Sequence, residues 1–230
     1  TVMAGRPLTI ERDLPNCRAM LYAFHPGTMG GPALVNLLFG DVNPSGKTPV
    51  TFLRTVGQVP MYYSHTMTGR PYNNETLLAD IEPEAGQTSL GNTSYYLDYG
   101  ARPLFPFGYG LSYTTFDYSD IALDKEAYPQ DGTIQLTFSL ANTGAYDGTE
   151  VVQVYIRDLV GSITRPVKEL KYFERVPLKA GEKRTLEVQI PVSELAFFGL
   201  DGVTKVEPGD FQLWVAGDSA SGQPVSFQVL

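Results

Sequence analysis

From about residue 113 onward, apolar and polar positions alternate along the chain. "TIQLTFSLANTG" sets Ile134, Leu136, Phe138 and Leu140 on one side of an extended backbone and ends in an Asn-Thr-Gly turn. "EVVQVYIRD" does the same with Val152, Val154 and Ile156, "RTLEVQIP" with Leu186, Val188 and Ile190, and "FQLWVAG" with Phe211, Leu213 and Val215. Turn signals at Asp131-Gly132, Ala180 to Lys183 and Glu207 to Asp210 separate these runs. The pattern predicts an all-β sandwich of immunoglobulin or fibronectin type III kind over 113–230. Trp214 has the opposite parity to Leu213 and Val215. It is predicted to face away from the core and to pack against the first half of the chain, the long segment described below or a neighbouring chain.

Before residue 53 the grammar is different. Thr1 to Ala4 and Ala19 to Gly27 read as apolar strands, and a short helix is predicted between Glu11 and Arg18. Leu34, Leu37 and Leu38 recur at helical spacing, with Pro32 fitting the first turn and Gly40 the stop. "NPSGK", Asn43 to Lys47, reads as a tight turn and "TPVTF" as the strand after it. Strand, helix and strand with short joints predict the carboxyl part of an α/β sandwich domain over 1–112. Residues 53–102 show no sustained period and read as a wrapping segment. "LFPFGYGLSYTTF", Leu104 to Phe116, is dense in aromatic rings, which serve either a packed joint between domains or a sugar-stacking surface.

Composition narrows the partners. With 25 Asp+Glu against 17 Lys+Arg the formal charge is -8, which weighs against a nucleic-acid partner. No apolar run has the length of a membrane span, so no membrane partner is predicted. The single cysteine excludes an internal disulfide, and Cys17 is predicted to be a small buried or helix-face residue, with no His and acidic orienter beside it to make a nucleophile. His25 and His65, the only histidines, lack metal-ligand spacing and are predicted to be hydrogen-bonded, partly buried rings; no cofactor or metal is predicted. Asn74 in "NET" and Asn92 in "NTS" match the glycosylation acceptor pattern. The opening "TVMAGRPLTI" carries neither an initiator methionine nor a signal peptide and reads as the middle of a longer chain.

Five stretches together resemble one family. "HPGTMGGPALVNLLFGDVNPSGKTPVTF", "VGQVPMYYSHTMTGRPYN", "PLFPFGYGLSYTTFDYS", "NTGAYDGTEVVQVYIRD" and "RPVKELKYFERVPLKAGEKRTLEVQI" are similar, in order and spacing, to the carboxyl half of glycoside hydrolase family 3, the β-glucosidases and β-xylosidases. The resemblance implies a barrel domain first, then the α/β sandwich, then the fibronectin-like domain, with "PFGYGLSY" at the handover as a packed joint. It implies retaining, exo-acting hydrolysis of terminal β-D-glucosyl residues. Such chemistry needs two carboxyl groups roughly 5–5.5 Å apart, one attacking and one protonating. The family's Asp nucleophile segment and its Glu acid/base, upstream of "GRPL", do not occur here, so no catalytic residue is assigned and the chain alone is predicted inactive.

Asp41 reads as a turn and cap residue rather than an acid, and Met29 stands where many relatives carry an acid. Arg6, after the first strand, reads as a salt-bridge residue. Arg70, Tyr95, Tyr96 and Asp98 are candidate rim contacts to a second sugar unit. Arg165, in "VGSITRP", and Trp214 are candidate interface residues. The implied partners are a small oligosaccharide or β-glucoside, the amino-terminal barrel and, as a further option, a second copy in a homodimer. The resemblance leans toward a periplasmic or secreted location over a cytoplasmic one. The alternative reading is a standalone carbohydrate-binding or adhesive β-sandwich module.

Overall fold

The computed structural model describes residues 1–71, 75–86 and 93–230. Asn74 and Asn92 lie outside the described residues. Ten strands follow residue 115: β1 (Phe116–Leu123), β2 (Ala127–Tyr128), β3 (Thr133–Asn142), β4 (Gly148–Asp158), β5 (Glu169–Leu178), β6 (Lys183–Pro191), β7 (Phe197–Phe198), β8 (Thr204–Lys205), β9 (Gly209–Ala216) and β10 (Val225–Val229). One sheet has the order β1-β3-β6, a second β2-β10-β9-β4-β5, and β7-β8 form a small hairpin. All pairings are antiparallel except β2 with β10.

The alternation predicted from the sequence builds the core between the two sheets. Ile134, Leu136, Phe138 and Leu140 from β3 meet Val152, Val154 and Ile156 from β4 and Phe211, Leu213 and Val215 from β9, all nearly inaccessible. Burying each such side chain contributes roughly 1.5–3 kcal/mol. β4 is buried on both faces, as the second half of β9 is: Gln153 and Tyr155, on its outer side, are as enclosed as Val152 and Val154. Something must cover that outer face, and the first half of the chain does.

That first half is less regular than the sequence predicts. The expected strands at Thr1 to Ala4 and Ala19 to Gly27 reduce to one parallel bridge, Val2 with Tyr22, and "TPVTF" to a bridge between Phe52 and Phe105. Parallel strands depend on neighbours on both sides, and these two have only each other among the described residues. The helix predicted between Glu11 and Arg18 is one 3-10 turn, Leu14–Asn16. Helix α1 (Gly30–Phe39) forms as predicted, with Pro32 in its first turn and Gly40 left-handed (φ 83°) at its end, where a side chain would be strained. Phe52 anchors this half, 1% exposed, with the rings of Tyr22, Phe24 and Phe105 edge-on around it. The segment 53–102 is held by 3-10 turns at Val56–Gln58 and Leu78–Asp80 and by isolated bridges.

Candidate functional site

The residues with the most specific polar geometry lie at the seam between the two halves. "NPSGK" is a clasp and not a tight turn, because its polar groups bond far along the chain. Asn43 Oδ1 accepts from Ser112 Oγ and the Tyr113 amide, both at 2.8 Å, while its Nδ2 donates to Asp147 O at 2.9 Å. The Thr48 amide donates to Tyr109 O at 2.7 Å, Thr48 O accepts from the Gly108 amide at 2.8 Å, and Thr48 Oγ1 donates to Pro106 O at 2.7 Å. Lys47 Nζ donates to Gly110 O and lies 3.0 Å from Glu150 Oε1, with side-chain exposures of 15% and 6%. Glu150 shares the core-facing parity of Val152 and Val154, so its charge sits at the mouth of the sandwich and needs the ammonium there.

On the outer face of β4 the aromatic stretch closes the seam. Phe107 stacks on Tyr63 with centroids 4.3 Å apart, and Tyr63 meets Tyr155 edge-on at 5.9 Å. Gly108 has φ 81°, and a Cβ there would lie 2.0 Å from Gln153 Oε1. That contact is possible only for glycine, and it lets Gln153 Nε2 donate to Gly108 O at 3.1 Å while Tyr155 Oη donates to Gln153 Oε1. "PFGYG" is therefore a packed joint.

The sequence-predicted rim residues fall on one lobe, formed by the described residues between 70 and 102. The Ser94 amide donates to Arg70 O, and the Leu78 amide to Leu97 O. Tyr95 Oη accepts from the Thr76 amide and donates to Thr76 O, both at 3.1 Å, and Tyr96 Oη donates to Gln58 O at 3.1 Å. Tyr95 thus closes the lobe on itself, and Tyr96 ties it to the turn at Val56–Gln58. Arg70 and Asp98 are exposed and, among the described residues, their side chains make no hydrogen bond or ion pair. The lobe is pinned by buried Gln58, which accepts from the Arg54 amide, and by Arg54, which pairs with Glu11 at 2.8 Å and donates to Tyr99 O.

Trp214 faces outward from β9, opposite Tyr155, but its visible partner is Lys168 of the same sandwich, whose Nζ lies 4.3 Å from the ring centroid. The long segment instead meets the adjacent Tyr155, through Tyr63. Lys168 Nζ also donates to Ser219 O at 2.9 Å, and burial lowers its pKa to about 8, partly offset by Asp218. Arg165 is folded back into its own sandwich, 3.5 Å from Asp158 and 3.0 Å from Glu169, with its guanidinium over Phe197. Burial raises the pKa of Asp158, against the opposing pull of Arg165.

Other candidates carry no chemistry here. An open groove of about 470 Å³ is lined by two carboxylates, Asp147 and Glu182, together with Asn43, Lys179 and Arg184. Asp147 Oδ1 accepts from the Ala180 amide and Glu182 Oε2 from the Lys179 amide, so both shape the turn between β5 and β6. The Lys179 amide and then Arg184 hold Glu182 below the usual carboxylate range, the wrong direction for a general acid. Cys17 is exposed, not buried, and the 3-10 turn before it holds no buried residue. His25 and His65 are exposed too: the first lies over Gly5, which has no side chain to cover it, and the second stands beside Thr66 O. Asp41 is exposed just past α1, and Arg6 offers its carbonyl to Tyr22 Oη while forming no ion pair among the described residues. Among the described residues no group of three or more His, Cys, Asp or Glu could hold a metal.

Comparison with known proteins accounts for both halves. Residues 1–113 match the glycosyl hydrolase family 3 C-terminal domain and residues 150–219 the fibronectin type III-like domain. The chain belongs to glycoside hydrolase family 3. It is 42% identical over 229 residues to a periplasmic beta-glucosidase of Salmonella typhimurium, covering all of this chain and 28% of that relative. It is 39% identical to a beta-xylosidase of Formosa agariphila, covering 94% of this chain and 27% of the relative. The crystal structure of beta-glucosidase from Listeria innocua in complex with isofagomine superimposes with a TM-score of 0.87 at 35% identity, over 99% of this chain and 30% of that one. The chain thus spans less than a third of these family members. The sequence missed Glu150 and Gln153, although an acid on the core parity of a strand was a readable signal for the first.

Proposed function

We propose that this chain is the carboxyl-terminal part of a retaining, exo-acting β-glycosidase that removes terminal β-D-glucosyl residues. The observation that carries the reading is 42% identity along the whole chain to a beta-glucosidase. In this reading the attacking and protonating carboxylates lie outside these residues, and the chain supplies a scaffold and a rim to the site. The sandwich braces the first half through the seam, and the first half presents the 70–102 lobe toward the barrel's pocket. Arg70 and Asp98 are the side chains left free to meet a second sugar unit, since Tyr95 and Tyr96 already serve the lobe. A barrel domain is the principal partner; a second copy of the protein is a further one.

The test uses the complete enzyme with aryl-β-glucoside, aryl-β-xyloside and a β-linked glucose disaccharide. Preference for the glucoside is expected. Arg70→Ala and Asp98→Ala are expected to raise KM for the disaccharide and leave the aryl-glucoside rate near its starting value. Equal loss on both substrates would remove the rim assignment, and a xyloside preference would overturn the substrate.

A further inference from the structure

Residues 96–100 close a tight turn with Asp98 exposed at its apex. The Gly100 amide donates to Tyr96 O at 2.7 Å. Gly100 is left-handed (φ 75°), and a Cβ there would run into the Glu75 carboxylate, whose Oε1 accepts from the Ala101 amide at 3.0 Å. The backbone is tied down on either side of Asp98: Leu97 O accepts from the Leu78 amide at 2.7 Å, and Tyr99 O from Arg54 Nη1 at 2.8 Å. The Arg54 guanidinium also lies over the Tyr99 ring, 5.2 Å from its centroid. Asp98 thus has a fixed backbone beneath a carboxylate that, among the described residues, nothing else engages.

One fully buried side chain, Gln58, registers this turn on the segment before it. Its Oε1 accepts from the Arg54 amide at 2.8 Å and from the Thr55 amide at 3.4 Å, and its Nε2 donates to Gly100 O at 3.5 Å and Arg102 O at 3.4 Å. Its own carbonyl accepts from Tyr96 Oη at 3.1 Å. A primary amide can accept at one end and donate twice at the other without bringing a charge into the interior, which is what two facing amides and two facing carbonyls require. Given the rim contact proposed for Asp98, on which this rests, we propose that Gln58 is a positioning residue for substrate selectivity. By fixing the turn 96–100 it sets the direction from which the Asp98 carboxylate accepts hydroxyl groups of the second sugar unit. Gln58 itself touches no substrate; it holds the acceptor still, and a charge-assisted hydrogen bond depends on that aim.

The test measures kcat and KM of the complete enzyme for a β-linked glucose disaccharide and an aryl-β-glucoside in Gln58→Glu, Asp98→Ala and the double variant. Gln58→Glu keeps the accepting end and, ionised at neutral pH, sets an oxygen against the Gly100 and Arg102 carbonyls. It is expected to raise the disaccharide KM about tenfold, the worth of one charge-assisted hydrogen bond, with kcat and the aryl-glucoside constants near their starting values. In the Asp98→Ala background the same change should add almost nothing, because both act on one contact. Equal losses on both substrates in Gln58→Glu, or an effect that persists in full without Asp98, would overturn the positioning role while the rim contact stands. A disaccharide KM that Asp98→Ala leaves unmoved would remove the rim contact and, with it, the role of Gln58. Where Gln58→Glu fails to fold, Tyr96→Phe, which removes only the hydroxyl that grips Gln58 O, carries the same comparison: a smaller rise in disaccharide KM that again vanishes without Asp98 is expected, and a rise that persists overturns the role.

Discussion

At the scale of the residue, two lysines do opposite things with burial. Lys47 neutralises a carboxylate that the strand pattern forces inward. Removing one member of a buried pair leaves the other charged and unpaired, at a cost of about 3–5 kcal/mol. Lys47→Met is therefore expected to unfold the seam at lower denaturant, and adding Glu150→Leu to recover most of the loss, as hydrogen-exchange protection in β4 would report. Among the described residues Lys168 forms no ion pair, and burial lowers its pKa from 10.5 to about 8. Below pH 8 the lysine is charged in both folded and unfolded chains and its burial penalty is fully present. Between about 8 and 10.5 the unfolded chain binds the extra proton, so stability rises with pH across that window. Relative to Lys168→Met, the unaltered protein should gain thermal stability between pH 7.5 and pH 9.5. An unchanged difference would mean that the ammonium is better solvated than its place over Trp214 implies.

Among the elements, Gly108 is the most exacting position. A Cβ there would collide with Gln153 Oε1, and the left-handed backbone alone costs a substituted residue about 1–3 kcal/mol. Gly108→Ala should loosen the contact of Phe107 and Tyr63 with β4 while leaving the β3–β6 pairing intact, a split that segment-resolved hydrogen exchange would show. The strands were legible because each carries a period of two with one face toward a shared core; even the outward parity of Trp214 could be read before its partner could. The first half was legible only in α1 and its Gly40 stop. Its strands shrank to single bridges because apolar runs announce burial without naming a neighbour. The clasp was misread as a turn for a related reason: Asn43 is a turn former locally, and nothing near it reveals partners sixty or more residues away.

For the whole molecule, α1 carries the clearest consequence. Val35, Leu38 and Phe39 are 49%, 59% and 80% exposed, and Met29 just before the helix 67%, an apolar surface that this chain leaves open. The relatives are more than three times longer, so the remainder of a family member is the natural cover for it. Produced alone, the 230-residue chain is expected to self-associate and to release no p-nitrophenol from an aryl-β-glucoside above background. The reason is chemical: retaining hydrolysis needs two carboxylates about 5–5.5 Å apart, and the groove that holds Asp147 and Glu182 uses both to hold a turn. Adding the separately purified remainder of the protein should cover α1, reduce self-association and restore turnover together. Restored turnover without protection of α1 from hydrogen exchange would show that the two parts meet elsewhere. Turnover by the lone chain, abolished by Asp147→Asn or Glu182→Gln, would place the chemistry in that groove and overturn the scaffold reading.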